Sequence, residues 1–134
     1  MSCVLRAYGK HFNVDEFLEG SPFSPCAVFY KGKPRSSRKN SKISEESGFN
    51  FDVSEAEFSE FEMQMVDAIK FLQQNYKEIK RLKKFPGLES LGLDFAINFS
   101  EEFVSKSIQL KNELLEEIIR CDVSIGISIY KTEK

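Results

Sequence analysis

Residues 93–100 read LDFAINFS and residues 121–130 read CDVSIGISIY. In the second stretch Val123, Ile125, Ile127 and Ile129 alternate with Ser124, Gly126 and Ser128. In the first, Leu93, Phe95, Ile97 and Phe99 alternate with Asp94, Ala96 and Asn98. Alternation with a period of two sends one set to each face of a strand, so each strand has an apolar face and a small, polar one. Between them Phe103, Ile108, Leu114, Leu115, Ile118 and Ile119 are spaced to line one side of a helix that Ser100 would cap. The pattern predicts strand–helix–strand, with Ile125 and Ile127 buried between sheet and helix. It also predicts a sheet covered on one face and polar on the other.

Towards the N-terminus, Phe58, Phe61, Met65, Ile69, Leu72, Tyr76, Ile79 and Leu82 step by three or four. Ser54 and Glu57 are placed as a capping box, and Pro86–Gly87 ends the segment. A straight helix over 55–84 would be about 45 Å long. A domain of this size has a radius of gyration of only about 14 Å, so a break is predicted near Gln74–Asn75. Phe49, Phe51 and Val53 alternate as a strand, and Cys26–Tyr30 reads as a short strand buried on both faces. Cys3–Gly9 is a further strand. It runs into a helix over 13–19 with Asn13 as N-cap, Glu16 as its partner, Phe12 and Phe17 as the hydrophobic staple, and Gly20 as a left-handed end.

The order is β-α-β-β-α-β-α-β, and the strand-to-helix passages at 5–17 and 93–103 echo one another. This is an α+β arrangement over 1–134 as one domain. It implies ferredoxin-like split βαβ units in a mixed or antiparallel five-stranded sheet with helices on one face. The uncovered face is expected to collect Arg6, Tyr8, Asn50, Asp52, Asp94, Ala96, Asn98, Ser124, Gly126 and Ser128.

Composition agrees with a globular chain: 134 residues, 41% hydrophobic and 30% charged, with a net charge of −2. No apolar run is long enough to span a membrane, and charged residues interrupt positions 1–20, so a cytoplasmic protein with no membrane partner is expected. Cysteines at 3, 26 and 121, odd in number and widely spaced, read as free reduced thiols, with Cys3 and Cys26 buried.

Charge is unevenly spread. Lys31, Lys33, Arg35, Arg38, Lys39 and Lys42 lie without an acid inside a Ser-rich loop over 31–48, and Glu45, Glu46, Asp52, Glu55, Glu57, Glu60 and Glu62 follow without a base. The simpler expectation, which the sequence favours, is that the two runs pair with each other. The alternative is that the loop meets a partner. Residues 77–84 are basic again, with Lys77, Lys80, Arg81, Lys83 and Lys84.

Little catalytic chemistry is legible. His11 is the one histidine, and no zinc spacing, phosphate-binding glycine loop or nucleophile elbow occurs. Glu101–Glu102 and Glu116–Glu117 read as solvated helix faces. No catalytic residue, cofactor or metal is expected. An enzyme would need an unrecognised site on the open face around Arg6, Tyr8, Asp94 and Asn98.

The strings LRAYGKHFNVDEF (5–17), YKGKPR (30–35), SGFNFDVS (47–54), SLGLDFAINFS (90–100) and LLEEIIRCDVSIGISIY (114–130) resemble a bacterial domain family of unknown function. Its members open with a similar strand and capped helix, carry a Lys-Gly-Asp-Pro-like turn and close with a strand–helix–strand. This chain lacks the Trp such proteins often place near the turn and the third strand, and its basic loop is longer. Some small bacterial proteins of this kind are considered immunity proteins, so the resemblance implies a non-enzymatic protein that binds and blocks a toxin, and it implies no catalytic residues. The expected contacts are Arg35, Arg38, Lys39 and Lys42 on the loop and Arg6, Tyr8, Asp94 and Asn98 on the open face. A nucleic-acid-associated protein using 31–42 and 77–84 is the alternative. It is weakened because the open face offers only Tyr8 as a stacking aromatic.

Overall fold

The computed structural model describes residues 1–132. The chain runs β1 (Cys3–Gly9), α1 (Val14–Glu19), β2 (Ala27–Phe29), β3 (Ser47–Ser54), α2 (Phe61–Gln74), α3 (Tyr76–Lys83), β4 (Ser90–Ser100), α4 (Asn112–Cys121) and β5 (Ser124–Thr132). One mixed sheet has the order β2-β3-β1-β4-β5. β1 is antiparallel to β3 and β4, β2 is antiparallel to β3, and β5 is parallel to β4. Two crossovers interleave. β1 and β2, joined through α1, have β3 between them; β3 and β4, joined through α2 and α3, have β1 between them.

The helices lie on one face. Cys3, Leu5 and Ala7 of β1 and Leu91, Leu93 and Phe95 of β4 are buried with Phe17, Leu72, Ile79, Leu82 and Leu114 from the four helices. An aromatic group closes the α1 end: Phe17 stacks on Phe49 with centroids 5.7 Å apart and planes at 11°.

Local sequence explains the boundaries that match expectation. Asn13 Oδ1 accepts the Glu16 N–H at 3.2 Å, and the staple rings of Phe12 and Phe17 lie 6.2 Å apart. The long amphipathic segment breaks at Asn75, whose N–H and Nδ2 both donate to the Phe71 carbonyl at 2.9 Å. A side chain that competes for backbone acceptors in this way favours a helix end over a helix interior.

Five expectations are corrected. The helix α2 begins at Phe61, because Ser54 Oγ accepts only the Ala56 N–H and donates to Asp67 at 2.6 Å, so no capping box forms. Ser100 likewise holds a turn through the Glu102 N–H at 3.3 Å, and no helix starts until Asn112, which leaves Phe103 and Val104 exposed. Gly20 sits at φ −98°, so α1 ends without a left-handed residue; at α4 that role falls to Asp122, at φ 55°. Ile127 is 36% exposed and Ile129 64%, because β5 is the sheet edge and α4 packs beside α2 and α3 and leaves the outer half of that strand bare. β2 is also an edge strand, three residues long, and Cys26 beside it is exposed while Cys3 and Cys121 are buried.

All three thiols are free. Alkylation of the native protein should therefore modify Cys26 quickly, with Cys3 and Cys121 reacting only as the chain opens. Intact mass against time checks this, and rapid addition of two or three adducts would contradict the placement. Among the described residues no helix is long and apolar enough to cross a membrane.

Candidate functional site

The open face is built from register. Arg6 on β1 lies opposite Asn50 on β3 and Gly92 on β4, and Val4 lies opposite Asp52 and Asp94. Arg6 therefore has Asp94 as a diagonal neighbour and no side chain at Gly92 to obstruct it. Arg6 Nη2 donates to Asp94 Oδ2 at 3.0 Å. Ser128 Oγ, from β5, meets both Asp94 oxygens at 2.8 and 3.0 Å. Arg6 Nη1 approaches the Tyr8 hydroxyl at 3.5 Å.

Arg6 and Asp94 border two shallow depressions. One, of about 230 Å³, is lined by Tyr8, Gly92, Ser124 and Gly126. The other, of about 210 Å³, is lined by Val4, Cys26, Asn50, Phe58 and Tyr130. On the same face Asn50 Oδ1 and Asp52 Oδ1 are buried without a hydrogen-bond partner.

Burial, with the Glu55 carboxyl beside it, raises Asp52 from its ordinary 3.8 to about 6. Glu55 itself is lowered, by its hydrogen bonds to Asp52 and to the N-terminal amine. The signs differ. A raised carboxyl favours the folded state while protonated, so its contribution is full below the ordinary value and is lost as pH rises through about 6. The Glu55 contribution is present above its ordinary 4.5 and is lost as pH falls. Between those limits Asp52 dominates. Stability should drop from pH 5 to pH 7, and Asp52→Asn should flatten that drop. Urea midpoints at the two pH values are the measurement, and an unchanged slope in the variant would contradict it.

The structure gathers Arg6, Tyr8 and Asp94 but leaves Asn98 apart. Four residues along β4, about 13 Å at strand rise, Asn98 borders a separate depression of about 490 Å³ with Ser100, Phe103, Lys106 and Thr132. Lys106 Nζ donates to the Asn98 backbone carbonyl at 2.7 Å.

Arg35, Arg38, Lys39 and Lys42 lie exposed on the loop that joins β2 to β3. The loop folds back on itself through a bridge between Pro34 and Ile43, with the Arg35 N–H on the Lys42 carbonyl at 3.1 Å and the Ser44 N–H on the Lys33 carbonyl at 2.8 Å. Among the described residues none of the bases at 31–42 forms an ion pair, which corrects the expectation of self-pairing. For Glu55, Glu57 and Glu60 distance is the reason, since β3 carries the chain about 26 Å from the loop before they follow; Glu45 and Glu46, close in sequence to the loop bases, also form no ion pair. Glu55 instead meets the N-terminal amine at 3.2 Å.

A track of contacts joins loop and face. The Arg35 guanidinium lies 4.7 Å from the Phe29 ring centre, and Phe29 lies 5.6 Å from Tyr8. Both rings flank Gly48, where a Cβ would stand 2.1 Å from the Ala7 carbonyl and 2.8 Å from the Tyr8 ring. Tyr8 then leads to Arg6, Asp94 and Ser128. In the second basic run two of the five bases make ion pairs within the chain, while Lys77, Lys80 and Lys84 stand exposed. Arg81 pairs with Glu78, donates to the Phe17 carbonyl at 3.0 Å and lies 4.1 Å over the Phe17 ring, while Lys83 meets Asp122 at 3.5 Å.

Sequence reasoning placed Asn50, Asp52 and Ser128 on this face without singling them out. It overlooked Gln64, a fully buried side chain whose Nε2 donates to the Ala96 and Glu57 carbonyls at 2.8 and 3.2 Å. Its position, three after Phe61 and four before Ala68 on the apolar stripe, was the available signal.

Fold and face together define an α+β protein whose mixed sheet is covered by helices on one side and presents a polar surface on the other. Residues 1–132 match a family described as Domain of unknown function (DUF4279), and the chain belongs to that family. No curated protein and no solved structure matches it.

Proposed function

We propose that the chain is a non-enzymatic protein-binding module of the immunity type, acting in the bacterial cytoplasm to neutralise a partner toxin. The observation that carries this reading is the unpaired basic loop and its continuous track onto the open face, Arg35–Phe29–Tyr8–Arg6–Asp94. Like charges crowded on one loop repel, and among the described residues no acid forms an ion pair that would offset them. An acidic protein surface would, and it would also gain a faster encounter. The resemblance to a family with members considered immunity proteins supplies the kind of partner. The interleaved crossovers support reading β1–β4 as a ferredoxin-like unit extended by α4 and β5. Engagement of Arg81 by Glu78 and of Lys83 by Asp122 takes up two of the five bases of 77–84 and weighs against nucleic acid there.

Affinity capture from a bacterial lysate, with the unmodified chain and with Arg38→Ala/Lys39→Ala/Lys42→Ala, tests the reading. The expected result is an acidic protein retained only by the unmodified chain, whose expression arrests growth unless the chain is co-expressed. Equal retention by the variant, or growth arrest that the chain does not relieve, would overturn it.

A further inference from the structure

The two edges of the sheet are unlike. β2 ends one side with three residues. β5 ends the other with nine, in unbroken register with β4 from Gly92–Ser124 to Ser100–Thr132. It has no proline and no bulge, and its single charge, Lys131, is at the far end and already paired with Glu101. Natural edges of this length are shortened, bent, charged or covered. Among the described residues this one is neither short, bent nor covered, and its apolar side chains Ile127 and Ile129 stand exposed.

We propose that β5 pairs antiparallel with β5 of a second copy of this chain, across a two-fold axis at Ser128, forming one ten-stranded sheet. Self-complementarity selects this occupant. A two-fold axis perpendicular to the sheet keeps both helix layers on one side and sets residues of like parity opposite each other. Centred on Ser128, the register uses all nine residues. Ile127 faces Ile129 of the second copy, and the reverse, on the helical side. Tyr130 faces Gly126 on the open side. Lys131 faces Ile125, so no like charges meet.

Gly126 is compatible with the same register. A Cβ there would make only ordinary contacts, 3.6 Å to Asp94 Oδ1 and 3.8 Å to the Leu93 carbonyl, and its φ is not positive. Nothing inside the chain requires glycine at this position; Tyr130, which the register sets opposite it, is half exposed, with its ring 5.4 Å from Phe58 of its own chain.

The helical layer extends the same edge. Arg120 lies 4.0 Å over the Tyr76 ring and so turns one flank of α4 towards α3. Leu115 and Ile119, exposed at one-turn spacing, occupy the opposite flank, on the β5 side. Nine residues of strand span about 30 Å, and sheet and helix layers together are about 20 Å deep. A footprint of about 600 Å² approaches the roughly 800 Å² per partner of a standard interface. This inference rests on the edge strand and is independent of the basic loop.

Sedimentation equilibrium of the full chain over a wide concentration range is the test. The expected result is a reversible dimer of twice 15.4 kDa. Ile127→Glu alone and Ile129→Lys alone should each weaken it at least tenfold, with the circular dichroism spectrum of the folded chain unchanged because Ile127 is 36% and Ile129 64% exposed. The double variant should restore it, since the two new charges then face one another twice across the axis. In the unmodified chain, amide exchange over 124–132 should slow as concentration rises. A chain that stays monomeric, a dimer indifferent to the single variants, a double variant that remains apart, or exchange independent of concentration would each overturn the proposal.

Discussion

Phe17→Ala is expected to lower stability by about 3–5 kcal/mol, the range for removing a buried ring and leaving a cavity. Phe17 is completely buried on a helix of six residues. It stacks on Phe49 and meets the Phe85 ring edge-on at 5.4 Å. On its other side lies the Arg81 guanidinium, which also donates to the Phe17 carbonyl. Truncation would remove the ring that ties α1 to β3 and α3 together, and Arg81 would lose the surface it packs on. The comparison is Ile127→Ala, expected to cost below about 1 kcal/mol because the residue is already 36% exposed. Urea midpoints of the two variants decide: similar losses would mean that the core does not lie between α1, α3 and β3.

Gly87→Ala is expected to cost about 2–4 kcal/mol. Gly87 sits at φ 87°, where a β-carbon adds about 1 kcal/mol or more of strain. That carbon would lie 2.2 Å from the His11 carbonyl oxygen and 2.8 Å from the Phe12 nitrogen. Both are backbone atoms of the β1–α1 turn, so relief requires moving the turn, and overpacking of this kind adds about 1–3 kcal/mol. Gly32→Ala is the control: its φ is 82°, but nothing lies within 4 Å of the added carbon. It should show the conformational part alone. Equal midpoints for the two variants would mean that the α3–β4 connection does not press on that turn.

These two sites show what was legible in the sequence. The Asn13 cap, the Phe12–Phe17 staple and the break at Asn75 are local, and short-range chemistry announced each one. The polar and apolar faces of β1 and β4 followed from alternation, which placed Arg6, Tyr8 and Asp94 on one surface. Their contact did not follow, because it depends on the antiparallel register of two strands almost ninety residues apart. Ser54 and Ser100 misled because a hydroxyl that caps a helix equally well holds a turn. Ile127 and Ile129 carry the most regular alternation in the chain. Alternation reports facing; it does not report whether a helix reaches the edge strand. The pairing of the loop bases with the acids of 45–62 failed: β3 stands between the loop and 55–62, and Glu45 and Glu46 beside the loop form no ion pair.

The account rests on the loop's charges being free in the folded chain. Urea unfolding of Arg38→Ala/Lys39→Ala/Lys42→Ala against the unmodified protein, at low and at high salt, measures this directly. The variant spares Arg35, which packs on Phe29. Exposed charges without an intramolecular partner contribute within about 1 kcal/mol, so nearly coincident midpoints are predicted at both ionic strengths. A clear loss of stability in the variant at low salt that shrinks as salt is added would show that the loop is held by acids of its own chain, and would contradict the account.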